Sequence, residues 1–252
     1  MLLKSILYNE RSEFQYAQII ETGPFGKTLV LDSKTQSALA DEYVYHESLV
    51  HPVMIAHPNP KTVFIGGGGE LATAREVAKH PSVERIVMVD LDKTVVEICK
   101  KHMPEWHGGV IDDPRLELHY EDAKAWLEKY GGVTHAECSC IIILSLLFLL
   151  ECSCNEKFDV IIMDIADPIE AGPGVMLYTE EFYNFIHKCL QPGGCFVTQS
   201  GPGSVMNATE CFSVIYQTLK QSFQQVVPYT SDIPSFGCNW AFNMAFTEST
   251  EM

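Results

Sequence analysis
From residue 61 onward, short and mainly apolar runs alternate with longer mixed stretches. The runs Thr62–Ile65, Arg85–Val89, Leu116–Tyr120 and Phe158–Met163 are too short for buried helices. They read as strands covered on both faces. Between and after them, 70–79, 93–102, 123–129, 179–190 and 208–222 read as helices. A Pro192-Gly193-Gly194 turn introduces a strand at 195–199, and strands near 224–229 and 240–246 follow. Strands and helices in this alternation predict an α/β fold, a mostly parallel sheet with helices on both faces. Ligands of such sheets sit outside the carboxyl ends of the strands.

Residues 1–40 have a different rhythm. Phe14–Ile20 and Thr28–Leu31 are strand-like and flank the turn Gly23-Pro24-Phe25-Gly26; a second turn, Asp32-Ser33-Lys34, leads to Gln36–Leu39. This predicts a small N-terminal antiparallel β cap (1–40) ahead of the main domain (41–252). Residues 41–57 read as a helix with Asp41 as N-cap and Pro52 marking a kink. Residues 131–155 break the pattern: Cys140–Leu150 is almost wholly apolar, and ECSC occurs at 137–140 and 151–154. The apolar run is far below the ~20 residues needed to cross a bilayer, and the Cys spacing fits no common zinc pattern. The segment reads as an insertion between a helix and a strand, where added length costs little closure entropy.

Composition narrows the function classes. With 17 basic and 33 acidic residues the formal charge is −16, which repels nucleic-acid phosphates and anionic membranes and attracts cations. The opening MLLKSILYNERSEFQY lacks the pattern of a secretory signal. Nine cysteines, an odd number, read as free thiols, so a cytoplasmic location is expected.

The candidate chemistry lies where strands end. Ile65 runs into Gly66–Gly69 and then Glu70 at a helix start. Glycine permits a sharp turn and close approach of backbone to ligand, but a carboxylate at that helix start repels phosphate. A cationic or neutral ligand is therefore expected. Asp90 ends the second strand, a position suited to ribose hydroxyls; the alternative role, capping the next helix, is also open to Asp92. Asp122 ends the third strand, suited either to an adenine amino group or to a helix cap. Asp164 and Asp167, before Pro168, end the fourth. Acids at that mouth bind cations or accept a proton, and three converging on one edge are costly unless a cation compensates them.

These segments together resemble the spermidine synthase family of polyamine aminopropyltransferases. The matching stretches are Gly26–Asp32 (GKTLVLD), Asp41–Glu47 (DEYVYHE), His57–Lys61 (HPNPK), Gly67–Glu70 (GGGE), Asp113–Glu117 (DPRLE), Asp164–Pro168 (DIADP) and Gln191–Gly194 (QPGG). The resemblance covers roughly residues 10–130 and 156–247. Within the family it is most similar to the thermospermine synthase branch, through Glu70 and Ala166–Glu170.

The resemblance implies a Rossmann-like sheet of the class I methyltransferase type. It implies transfer of an aminopropyl group from decarboxylated S-adenosylmethionine to a polyamine, with methylthioadenosine released. Gln15, Gly67, Gly68, Gly69, Asp90, Asp122, Ala123 and Pro173 are expected to hold the donor. Tyr45, His46, Glu70 and Asp167 are expected to hold the polyamine, with Asp164 as proton acceptor. No cofactor or metal is expected, since the donor is a co-substrate, and no nucleic-acid or membrane partner; a homodimer is expected. Departures from the family are Leu71 in place of Gly, Phe236 in place of Tyr, and the insertion. Three other readings stay open: a spermidine synthase using putrescine, an S-adenosylmethionine methyltransferase, and a polyamine-binding protein without turnover.

Overall fold
The computed structural model describes residues 2–131, 156–165 and 173–248. Strands β1 (Leu3–Arg11), β2 (Tyr16–Thr22), β3 (Gly26–Leu31) and β4 (Lys34–Ala38) form an antiparallel sheet in chain order. Its inner face is set by alternation: Ala17, Ile19 and Leu29 are buried against Val95, Ile98, Met103 and Trp106 of the main body. Burying such aliphatic side chains contributes about 1.5–3 kcal/mol each. The Trp106 indole N–H donates to Ser37 Oγ at 2.7 Å, so the cap is joined by a buried polar contact as well.

The larger sheet holds β5 (Thr62–Gly67), β6 (Arg85–Asp90), β7 (Leu116–Tyr120), β8 (Phe158–Asp164), β9 (Leu190–Pro202), β10 (Gln225–Ile233) and β11 (Cys238–Phe246). Their order is β10-β11-β9-β8-β5-β6-β7; β9, β8, β5, β6 and β7 run parallel, and β10 and β11 are antiparallel additions. Helices α1 (Glu42–Ala56), α2 (Ala72–Ala78), α3 (Lys93–His102), α4 (Pro104–His107), α5 (Ala123–Tyr130), α6 (Glu180–Cys189) and α7 (Phe212–Ser222) accompany it. Neighbouring residues on each central strand face opposite ways. Ile65, Met88 and Ile162 join a core with Leu49 and Val53 of α1, whereas Phe64, Val87 and Ile161 join one with Trp126, Phe182 and Leu219. Two covered faces explain why these strands read as continuous apolar runs.

Several local expectations change. Helix 70–79 begins only at Ala72, because Leu71 is its N-cap with φ 73°, in the left-handed region. Helix 208–222 begins at Phe212. Strand 195–199 extends to Leu190–Pro202, and a register shift against β8 between Phe158 and Val160 absorbs the Pro-Gly-Gly turn. Asp41 occupies the N-cap position of α1 without capping it; its carboxylate accepts instead from the Ser235 N–H at 2.6 Å. Helix α1 runs through Pro52. Proline has no N–H for the carbonyl of residue 48, and that Ser48 oxygen accepts from the Tyr229 hydroxyl at 2.8 Å.

Residues 132–155 lie outside the described residues, so the insertion and its ECSC pairs do too. The described residues on either side meet: Gly131 and Glu156 form a parallel bridge, and the Glu156 N–H donates to the Tyr130 carbonyl at 2.9 Å. Among the described residues no helix is long and apolar enough to cross a membrane.

Candidate active site
The register between β5 and β8 places Gly67 opposite Asp164. The Gly68 N–H donates to the Asp164 carbonyl at 3.0 Å, so the main chain itself docks the glycine loop against the aspartate. Gly67 has φ 84°, and a Cβ there would lie 2.2 Å from the Asp164 carbonyl oxygen. A Cβ on Gly68 would come within 3.2 Å of Asp164 Oδ2, and one on Gly69 within 3.0 Å of Asp90 Oδ2. The loop thus threads between the two carboxylates, and its lack of side chains is what allows the approach.

Asp164 accepts from the Tyr45 hydroxyl at 2.7 Å through Oδ1 and from the Thr73 hydroxyl through Oδ2. Burial raises its pKa first and the Glu70 charge next, while His46 and the two hydroxyls oppose them. The outcome is a carboxyl readier to hold a proton than an ordinary aspartate. Tyr45 is itself buried, and burial followed by the Asp164 charge holds its hydroxyl well above the usual range, hence protonated and donating. Its ring is fixed edge-on by His46 and Phe236, with centroids 5.0 and 5.8 Å away.

Glu70 is buried and accepts from His46 Nε2 at 3.1 Å. The other ring nitrogen, Nδ1, lies 2.7 Å from the Glu42 carbonyl oxygen and 2.8 Å from Glu42 Oε2. Burial alone would lower the imidazole pKa, but Glu42 and Glu70 overcome it and lift it to about 10. His46 is therefore an imidazolium with both N–H groups engaged. It reaches the rim through Glu70, with no ring nitrogen left for an amine. His46, Glu70 and Asp164 bring ligand-type atoms within 4.8 Å of one another. A doubly protonated imidazole has no lone pair for a metal, so the set suits an ammonium group better.

Asp90 Oδ1 accepts from the Asp92 N–H at 2.8 Å. Burial, with further contributions from Glu70, Asp92 and Asp164, pushes its pKa up to about 7 against the opposing N–H bond. The capping role falls to Asp92, which accepts from the Thr94 and Val95 N–H groups at 3.0 and 3.3 Å. Its second oxygen holds Ser12 Oγ at 2.5 Å and Gln15 Nε2 at 3.0 Å, which ties Gln15 of the cap to the rim. Asp122 caps α5 through the Ala125 N–H at 2.7 Å. Ala123 is buried beside Gly66, where an added Cβ would meet the Ala123 Cβ at 3.4 Å. Pro173 opens the 3-10 segment Pro173–Tyr178; its side chain, like the whole of Asp167, lies outside the described residues.

The structure thus gathers Tyr45, Glu70, Asp90, Asp164 and the glycine loop at one edge, with His46 behind Glu70 and Gln15 linked through Asp92. Asp122 sits at the mouth of the outermost parallel strand. Sequence reasoning missed Thr73, Glu42, Arg75 and the Gln15-holding role of Asp92. Glu42 and His46 stand one helical turn apart, a legible spacing; Thr73 meets Asp164 only through tertiary packing.

Comparison with known proteins is consistent along the whole chain. Residues 42–252 match the spermine/spermidine synthase domain and residues 1–38 the spermidine synthase tetramerisation domain. Thermospermine synthase ACAULIS5 of Arabidopsis thaliana is 43% identical over 244 residues, covering 96% of this chain; the chain spans 65% of that protein's length. A polyamine aminopropyltransferase of Aeropyrum pernix is 42% identical over 243 residues, 96% of this chain and 69% of that protein. A crystal structure of spermidine synthase in complex with the transition state analogue AdoDATO superposes with a TM-score of 0.82 at 30% identity, covering 96% of this chain and 74% of that one.

Proposed function
The chain belongs to the spermine/spermidine synthase family, and from that premise we propose that it is a polyamine aminopropyltransferase using decarboxylated S-adenosylmethionine. The observation that carries the reading is Asp164, a half-buried carboxylate at the strand mouth, flanked by Tyr45 and by the second acid Glu70.

In the reaction, an acceptor nitrogen attacks the methylene beside the donor sulfonium. The new C–N bond forms as the C–S bond breaks, and its electron pair returns to sulfur, leaving neutral methylthioadenosine. An ammonium group has no lone pair to attack with, so a proton must leave first. Asp164, with its raised pKa, is the acceptor. Glu70, and Asp167 as the sequence expectation has it, hold the distal ammonium groups and set which nitrogen attacks. Asp90 and Gln15 face the donor ribose, the glycine loop lets the donor approach the backbone, and Asp122-Ala123 and Pro173 flank the adenine. Alignment of nucleophile and leaving group supplies much of the rate. The donor is consumed, so no cofactor is required.

We assign spermidine as the acceptor and thermospermine as the product, supported by the identity to the plant enzyme and by Glu70. The match of residues 1–38 to a tetramerisation domain supports self-assembly. Sizing the purified protein by light scattering distinguishes two copies from four. A cytoplasmic location is proposed on the strength of the buried thiols Cys99, Cys189 and Cys195. The test is a product assay with decarboxylated donor and either putrescine or spermidine, resolving spermine from thermospermine. Thermospermine from spermidine supports the assignment. Spermidine from putrescine moves the chain to the other branch, and methyl transfer from intact S-adenosylmethionine overturns the reading.

A further inference from the structure
Behind Glu70 the buried charges alternate in sign. The Arg75 guanidinium forks onto Glu42, Nη1 to Oε1 at 3.0 Å and Nη2 to Oε2 at 2.9 Å. Glu42 Oε2 meets His46 Nδ1 at 2.8 Å, and His46 Nε2 meets Glu70 Oε1 at 3.1 Å. The side chains from Arg75 to Glu70 are 14%, 9%, 0% and 10% exposed. A buried ion pair seldom stabilises a fold more than apolar residues of the same volume would. A wholly buried imidazolium therefore needs another reason to be there, and the ladder ends on a carboxylate at the rim. The second Glu70 oxygen takes no partner among the described residues.

We infer that Arg75 and Glu42 are positioning residues: by holding His46 with both ring N–H groups engaged, they keep the Glu70 carboxylate aimed at the acceptor amine. The inference rests on the proposed function for its kinetic consequence and on the two carboxylate contacts of the ring for the state of His46. The charged and titratable groups around the ring are Glu42 on its own helix, Tyr45 beside it, Glu70 on the β5–α2 loop, Asp164 on β8, and Arg75 of α2 behind Glu42. Their balance is negative, in line with a ring that stays charged across the working pH range.

Glu42→Gln is the cleanest test, because it keeps the volume and an acceptor for Nδ1–H while removing the charge. Two readouts are taken. The nitrogen shifts of His46 by NMR report its protonation at pH 8.5, and steady-state kinetics give KM separately for donor and acceptor. The expected result is an imidazolium in the wild type and a neutral ring in the variant. The acceptor KM should rise about tenfold or more, as for loss of a charge-assisted contact, with donor KM unchanged. Arg75 also donates to the Glu105 and Trp106 carbonyls, so Arg75→Lys serves as the second variant, retaining charge but not the fork, with an intermediate KM. If Glu42→Gln does not fold, His46→Gln takes its place and must give the same acceptor-specific rise. A ring that stays charged in Glu42→Gln with unchanged acceptor KM, or a loss shared equally by both substrates, overturns the inference. Should the wild type show no turnover, the proposed function fails. The His46 titration and calorimetry with spermidine then still decide the ladder.

Discussion
Strand β8 has an aspartate near each end, in contrasting company. At the amino end, Asp159 accepts from the Lys61 and Thr62 N–H groups at 2.9 Å each and from the Thr62 hydroxyl at 3.0 Å. Its neighbours at that end are equally provided for. Arg85 forks onto Glu117 with both contacts at 2.8 Å and reaches Glu156 at 2.9 Å, and Arg115 holds the Asp113 carboxyl down at about 2. At the carboxyl end, Glu70 and Asp164 share one buried cation, His46, and Asp90 is pushed up to about 7. The same residue types are saturated at one rim and left wanting at the other. Unspent negative charge, rather than acidity as such, marks the working edge.

The contrast can be broken most severely at the chemistry. Asp164→Asn should lower kcat by on the order of 10²-fold or more, measured as methylthioadenosine release, while Asp159→Asn leaves kcat within about twofold and costs about 1 kcal/mol of stability. Equal kinetic losses from the two would erase the distinction between the rims. Glycines give the next largest effect. Gly67→Ala drives a Cβ to 2.2 Å from backbone at φ 84°, and urea unfolding should show a loss above about 3 kcal/mol. Gly193→Ala, at φ 75° with open space around it, should lose only about 1 kcal/mol.

Acid–base linkage sharpens the comparison further. The Asp90 pKa is higher folded, about 7, than the 3.8 of an ordinary aspartate. Its contribution is fully present below about pH 3.8 and lost as pH rises through 7. Asp90→Asn should therefore be more stable than the wild type at pH 8 by on the order of 2 kcal/mol, after allowance for screening, and indistinguishable near pH 4. Denaturation at both pH values reads this directly. Asp113 has the opposite sign. Its folded pKa, about 2, lies below 3.8, so its contribution is present above pH 3.8 and lost as pH falls toward 2. For a pair only partly shielded from water, Asp113→Asn should cost less than about 1 kcal/mol at pH 7.

Much of this was readable from residues alone. The parallel strands announced themselves because both faces are covered, and their terminal acids because a charge right after an apolar run has few places to go. β1 was not predicted: in Leu3–Arg11 no residue is buried, so no alternation records a face, and only its pairing with β2 makes it a strand. Gln15, Asp90 and Asp164 were found through spacing and resemblance. Thr73, Arg75 and the second use of Asp92 were not, because their contacts join residues distant in sequence. The helix expected over 70–79 starts instead at Ala72 for a related reason. A buried leucine at φ 73° defies local propensity, and its place in the core with Ile65 and Val77 compensates for the roughly 1–2 kcal/mol that this conformation costs.

Gly131 and Glu156 hold each other in a parallel bridge. That contact lies at the amino end of β8, remote from Asp164 at its carboxyl end. The chain is thus open to editing at this point, as a cassette with matched ends. Replacing residues 132–155 by a short glycine-containing turn should leave melting temperature and turnover close to those of the parent.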